Sequence, residues 1–179
     1  MEKKFKLYKK LGATLIDKGI WFLKTAHNVK VKKIITWKEL VDILNKKYKV
    51  PRDKIICADG EYHLTDWQTW QSLIEYDWTD KRKYRKAVYD CDNFAGSFSA
   101  RMAEIYGLNT AGLAKGIKII DATTKKVIGY HRANLIIAID KGEIKAFGYE
   151  PETDGWNELT YNHTQIWNWL YYYNYFEFN

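Results

Sequence analysis

Two kinds of hydrophobic periodicity divide the sequence, helical spacing in its first part and alternation after it. Apolar side chains recur with helical spacing over residues 5–23, and Thr36-x-x-Glu39 has the form of a capping box in front of a second helix. A similar pattern, Thr65-x-x-Gln68, predicts a third helix that begins with tryptophans. Alternating apolar residues then predict strands at 116–121, 128–139 and 144–150.

One further helix is predicted directly after Asp90, a good N-cap residue, and before Gly107, a good residue for ending a helix. Its apolar face consists of Cys91, Phe94, Ala95, Phe98, Met102 and Ile105. The start of a helix lowers the pKa of a cysteine thiol, because its dipole and free N–H groups stabilise the thiolate. Cys91 is therefore a candidate nucleophile. The alternative is a packing role, since free cysteine is among the most buried residue types.

The predicted hairpin places a histidine and a glutamate on one face of a sheet. With a turn at residues 140–143, the apolar positions of the two strands coincide when Ala133 lies opposite Glu150. Glu150 is then diagonal to His131 and can orient its imidazole as a general base. Glu152 is the reserve candidate for this orienting acid. Asn134 points to the other face and is predicted to be a structural hydrogen-bonding residue.

Stabilisation of an oxyanion is predicted from the Cys91 backbone N–H and one side-chain donor. By residue type alone, Gln68 and Gln71 are the candidates for this donor. The second cysteine, Cys57, leaves a Cys57–Cys91 disulfide as an alternative that would exclude the nucleophile hypothesis. Neither cysteine has the spacing of a zinc site, and no metal or other cofactor is required by the predicted chemistry.

Charged residues are distributed unevenly along the chain, and its N-terminal part is basic. Residues 1–54 hold 16 Lys and Arg against 5 Asp and Glu, whereas the whole chain has a net charge of +7. This asymmetry predicts an anionic partner for residues 1–54, with a solvated lysine-rich helix face as the alternative. The sequence contains no run of about 18 uncharged apolar residues, so no membrane span is predicted. The absence of a signal-peptide core favours a cytoplasmic protein or one released in a virion or by lysis.

Aromatic residues are abundant, with 8 Trp and 14 Tyr among 179 residues. Many of them lie in the tail from residue 162 to residue 179. Two interpretations stay open for this tail: a closing helix and strand that cover the core, or a surface on which carbohydrate stacks.

Three short segments together carry a family resemblance: Asp90 to Ala95, Gly129 to Asn134, and Tyr149 to Trp156. They resemble the papain-like cysteine peptidase domain of the fungal (fairy-ring mushroom) agglutinin family and its bacterial and phage relatives. The resemblance implies that Cys91 is the nucleophile, His131 the base and Glu150 the orienting acid. It also implies calcium dependence as in the fungal member, without a set of ligands that can be matched here.

The sequence thus predicts an α+β papain-like fold, in which a central helix that carries the cysteine packs on an antiparallel sheet or half-barrel. A basic accessory segment, residues 1–35, would precede a hydrolase domain, residues 36–179. The predicted function is a cysteine hydrolase, most simply a peptidase, that acts on a peptide or a cell-wall peptide through a thioester. The alternatives are a non-enzymatic binding or virion-associated protein, and an enzyme similar to peptidoglycan amidases or transglutaminases.

Overall fold

The structure, a computed structural model, describes residues 2–161 and 163–178. Four α-helices are present in this part of the chain: α1 (Glu2–His27), α2 (Trp37–Tyr48), α3 (Trp67–Tyr76) and α4 (Cys91–Tyr106). The ten strands are β1 (Lys33–Thr36), β2 (Ile55–Cys57), β3 (Glu61–Leu64), β4 (Ala111–Asp121), β5 (Val127–Asp140), β6 (Glu143–Glu150), β7 (Gly155–Glu158), β8 (His163–Ile166), β9 (Trp169–Tyr172) and β10 (Tyr175–Phe178). A short 3-10 helix, Arg52–Lys54, precedes β2.

The strands form one large sheet and one small sheet. The order in the large sheet is β2-β10-β4-β5-β6-β7, and only β2 and β10 run parallel among these pairs. The hairpin of β8 and β9 joins the large sheet through β9, which pairs with β4. Strands β1 and β3 pair as a separate antiparallel ribbon.

Two helix starts illustrate how local sequence fixes the elements. Thr36 caps α2 with the predicted capping box, in which the Thr36 N–H donates to Glu39 Oε2 at 2.7 Å. The capping box predicted at Thr65 is wrong, because α3 is capped by the next residue. The Thr69 N–H donates to Asp66 Oδ1 at 2.8 Å, and the Thr65 hydroxyl donates to the Lys30 carbonyl instead.

The predicted register of the hairpin between β5 and β6 is confirmed. Leu135 lies opposite Gly148, Ile137 opposite Ala146, and the turn is formed by Lys141 and Gly142. Alternating apolar side chains dictate this register, since a shift by one residue would turn each strand's buried side chains to the other face.

Both faces of β5 are buried in its second part, from Ala133 to Ala138. Leu135 and Ile137 belong to one core cluster, together with the buried face of α2, while Ile136 and Ala138 belong to a second cluster with α3 and α4. The helices therefore cover the large sheet from two sides. None of the helices described is long and apolar enough to cross a membrane.

The predicted fold class needs correction, because strands contribute more of the architecture than the sequence pattern indicated. One of the two interpretations of the tail was a helix followed by a strand, yet its described residues form β8, β9 and β10. Buried aromatic residues two positions apart explain this outcome, since alternation is the strand period. These residues are Tyr171, Tyr173, Phe176 and Phe178. The division at residue 35 stays a prediction; β1 extends across it.

Candidate functional site

Cys91 occupies the first position of α4, as predicted. The helix begins after Asp90, whose backbone N–H donates to Asn93 Oδ1 at 3.2 Å, and it ends at Gly107 in the left-handed conformation. N–H groups in the first turn of a helix have no partner within the helix and favour negative charge. Cys91 is partly buried, and both it and Cys57 are free thiols. The alternative of a disulfide between them is therefore excluded.

His131 reaches the site from an irregular part of the sheet. Ala114 pairs with Ala133 and Ile117 pairs with His131, so two residues of β4 lie opposite one residue of β5. This is a β-bulge, and Gly116 within it has a positive φ of 62°. A bulge bends its strand and redirects nearby side chains. The position of His131 thus depends on Gly116 as well as on its own strand.

The structure brings Cys91, His131 and Glu150 together. The Nε2 atom of His131 is hydrogen-bonded to Glu150 Oε2, and the side chain of Cys91 lies close enough to the same imidazole to raise its pKa. The side chain of His131 is 14% exposed and that of Glu150 is 4% exposed. The arrangement has the members of a triad, since an acid and a thiol share one imidazole.

The surroundings favour the imidazolium form of His131. Burial lowers the pKa of His131, but the hydrogen bonds and negative charges of Cys91 and Glu150 outweigh this effect and raise its pKa to about 10. A protonated imidazole beside the Cys91 sulfur is a counter-ion for a thiolate. The geometry therefore places a proton donor, the imidazolium of His131, beside the Cys91 sulfur.

Glu150 is itself fixed by two further groups. The Glu152 N–H donates to Glu150 Oε1 at 3.3 Å, and the Tyr171 hydroxyl donates to Oε2 at 3.4 Å. Glu152, the reserve candidate, thus contributes its backbone to the site. Burial and the charge of Glu150 raise the pKa of the Glu152 carboxyl. Tyr171 was missed in the sequence, where only the density of aromatic residues in the tail pointed to this segment.

Asn134 links the helix of Cys91 to the sheet of His131. It is fully buried, and its Nδ2 donates to the Ala95 carbonyl in α4 at 3.1 Å and to the Gly112 carbonyl in β4 at 3.3 Å. Its predicted role as a structural hydrogen-bonding residue is confirmed. A second link crosses the surface, where Arg132 Nη1 lies 3.4 Å from Asp92 Oδ2.

The two glutamine candidates are placed away from this arrangement. Gln68 lines a surface depression with His27, Asn28 and lysines from the segment before β1, and Gln71 is exposed on α3. Residue type alone led to their selection, and helix α3 directs them elsewhere. The backbone N–H groups at the start of α4 are the donors that the geometry offers to an oxyanion.

A metal can be considered at the same helix start, where ligand atoms of Asp90, Cys91 and Asp92 lie within 4.8 Å of one another. Capping explains much of this grouping, since Asp90 Oδ2 accepts a hydrogen bond from the Ala87 N–H and Asp92 pairs with Arg132. We assign no metal to these residues. Calcium dependence stays a prediction of the family resemblance.

The fold is similar to that of two solved structures. One is a complex of PSL1a with E64, at 19% identity and a TM-score of 0.56, where the match covers 83% of this chain and 51% of that chain. The other is Polyporus squamosus lectin bound to the human-type influenza-binding epitope Neu5Aca2-6Galb1-4GlcNAc, at 17% identity and a TM-score of 0.59, with 83% and 50% covered. No protein-family model matches the chain, and none of the curated proteins compared with it does.

At these identities the likeness shows a shared fold alone, and this chain spans about half the length of the two solved chains. One of these structures is described as a lectin, and neither description names a peptidase. This finding contradicts the predicted papain-like peptidase family, its fold class, the cysteine-hydrolase function and the peptide or cell-wall peptide substrate. These expectations, and the anionic partner for residues 1–54, are not retained.

The family resemblance was misleading because each motif that carried it covers only a few residues. Each motif describes the surroundings of one residue, whereas a fold depends on pairings along the whole chain, and one fold hosts many functions. The comparisons carry no information on the roles of Cys91, His131 and Glu150, which stay predictions based on their geometry.

Proposed function

We propose that this chain binds an electrophilic ligand covalently through Cys91. The observation that carries the proposal is that one buried imidazole, that of His131, is hydrogen-bonded to the Glu150 carboxylate and lies near the Cys91 side chain at the start of α4. A packing role for Cys91 would not require a buried ion pair beside it, because a buried charge is costly unless it is compensated.

The chemical step follows from the positions of these groups. The Cys91 thiolate forms a C–S bond with the carbonyl carbon of the ligand, and the π electron pair of the carbonyl moves to its oxygen. That oxygen takes the proton of the His131 imidazolium, which leaves a neutral imidazole and a hemithioacetal. Backbone N–H groups at the start of α4 stabilise the oxygen while its charge develops. The proposal assigns no peptide substrate and no turnover.

Acetaldehyde labelled with carbon-13 at its carbonyl tests this proposal by NMR. We expect a hemithioacetal resonance that disappears in C91A and persists in C57A. H131Q should weaken the adduct, because the proton that neutralises the oxygen is then missing. An adduct that forms equally at both cysteines, or that is unaffected by H131Q, would contradict the proposal.

A second candidate function is carbohydrate binding, supported by the fold neighbour that is described as a lectin and is bound to a sialylated trisaccharide. Isothermal titration of this chain with the same trisaccharide tests this candidate directly. Saturable heat with a dissociation constant in the millimolar range or below would support it. Absence of saturable heat up to about 10 mM ligand, which corresponds to less than about 3 kcal/mol of binding free energy, would count against it.

A further inference from the structure

A groove lies between the start of β7 and the turn that joins β8 to β9. It has a volume of about 350 Å³ and is separate from the Cys91 thiol. Its lining consists of Asp154, Gly155, Trp156, Asn157, Gln165, Ile166 and Trp167. We propose that this groove binds a neutral hexose unit of a glycan.

Two tryptophans present their indole rings to solvent at this groove. Trp156 is 38% exposed and Trp167 is 72% exposed, although large apolar side chains are normally buried. The C–H groups of a pyranose ring carry partial positive charge, and they pack on the negative face of an indole. Two indoles at one groove provide two such faces.

The tryptophans are held in place by the fold. The Trp156 ring makes a perpendicular contact with Trp67 at 4.8 Å, and Trp67 in turn stacks on Phe147 at 3.7 Å. Trp167 has a positive φ of 55°, a conformation that is unfavourable for a bulky residue and that needs support from its surroundings. Gly155 provides room for it, since a Cβ atom there would lie 2.6 Å from Trp167 Nε1.

Side-chain amides line the same groove between the tryptophans. Asn157 Nδ2 donates to the Gln165 carbonyl at 3.0 Å, and Gln165 Nε2 donates to the Trp167 carbonyl at 3.3 Å. These hydrogen bonds orient both amides, and each amide keeps capacity for further hydrogen bonds. Sugar hydroxyls both donate and accept, so amides suit them well.

Charge at the groove favours a neutral sugar over an anionic one. The lining includes the carboxylate of Asp154 and no lysine or arginine. A phosphate or a sialic acid would meet no counter-ion among these lining residues, and its own charge would be repelled. This inference therefore stands apart from binding of a sialylated glycan and from the proposed chemistry of Cys91.

The test uses maltotriose, cellotriose and lactose as neutral probes, with binding followed by saturation-transfer NMR and by titration. We expect at least one probe to saturate the protein in the millimolar range, and W167A to weaken that binding at least 10-fold. W167F, which keeps an aromatic face, should have an affinity between that of the unmodified chain and that of W167A. W169A is the matched control, because Trp169 is also exposed at 42% but lies outside the groove.

Two outcomes would overturn the inference. One is the absence of saturable binding of all three probes up to about 10 mM, and the other is an equal loss of binding in W169A and W167A. Alkylation of Cys91 in W167A separates this inference from the covalent-binding proposal. The rate of Cys91 alkylation should be the same in W167A as in the unmodified chain, and C91A should keep its affinity for the sugar.

Discussion

The reactivity of Cys91 at low pH can be measured against a second cysteine in the same molecule. Both Cys91 and Cys57 are free and partly buried, so access to a small reagent is comparable. They differ in their surroundings: Cys91 contacts the imidazole of His131, whereas burial raises the pKa of the Cys57 thiol. We expect iodoacetamide to modify Cys91 first at pH 6.5.

The size of the effect follows from the ionisation of the thiol. At pH 6.5 an ordinary thiol, with a pKa of about 8.5, is about 1% thiolate, so full ionisation gives about a 100-fold advantage. A thiolate stabilised by a counter-ion is a weaker nucleophile, and this loss removes about half of the gain on a logarithmic scale. A net advantage of about 10-fold over an ordinary thiol remains, and the advantage over Cys57 should be larger.

Peptide mass spectrometry after timed quenching measures both rates in one sample between pH 5.5 and pH 9. The rate at Cys57 should rise about 10-fold per pH unit throughout, while the rate at Cys91 should rise less steeply, because the charged imidazole of His131 lies beside it. H131Q should make Cys91 follow the steep profile. Equal rates at pH 6.5, or an unchanged profile in H131Q, would refute the reasoning.

Three further substitutions test the surroundings of the site. In E150Q, loss of the carboxylate charge should lower the pKa of His131 and slow alkylation of Cys91 at pH 6.5 by about 10-fold, with an unchanged far-UV spectrum as the control for folding. N134A should lower the free energy of unfolding in urea by about 1–3 kcal/mol, because the Ala95 and Gly112 carbonyls lose their buried donor; a change below 0.5 kcal/mol would contradict that link. Burial and the charges of Asp80 and Asp77 raise the pKa of Asp154 to about 6, although the Tyr149 hydroxyl, which donates to it, lowers it. The stability that protonated Asp154 provides is therefore complete below its ordinary pKa of 3.8 and is lost as the pH rises through 6. The free energy of unfolding of D154N, relative to that of the unmodified chain, should consequently increase by about 1 kcal/mol from pH 4 to pH 7.5, after allowance for solvent screening. A constant difference between the two chains across that range would contradict the pKa shift of Asp154.

Local pattern was sufficient for the parts of the site that lie within one segment or one hairpin. The face of α4 and the register of β5 with β6 follow from neighbouring residues, and together they predicted that His131 and Glu150 share a face. Tyr171 could not be found in this way, because it reaches Glu150 through the pairing of β9 with β4, some 50 residues away in sequence. The pattern of residues within the tail does not indicate that β9 pairs with β4.

The same limit applies to the predicted donors, and it explains the error in the fold class. Gln68 and Gln71 were chosen by residue type, and the direction in which α3 presents them depends on its packing against the sheet. The tail was ambiguous because short aromatic runs are compatible with either a helix or strands. Pairing of β10 with β2 and β4 decides between them, and these partners lie about 120 and 60 residues earlier in the chain.

The position of β10 has a consequence for how the protein is made. Residues 175–178 leave the ribosome after both β2 and β4, yet they fill the gap between these two strands in the interior of the large sheet. Until they emerge, the nascent chain presents two unpaired strand edges, and such edges readily pair with other chains. Synthesis that pauses before residue 175 should therefore favour recruitment of chaperones or aggregation.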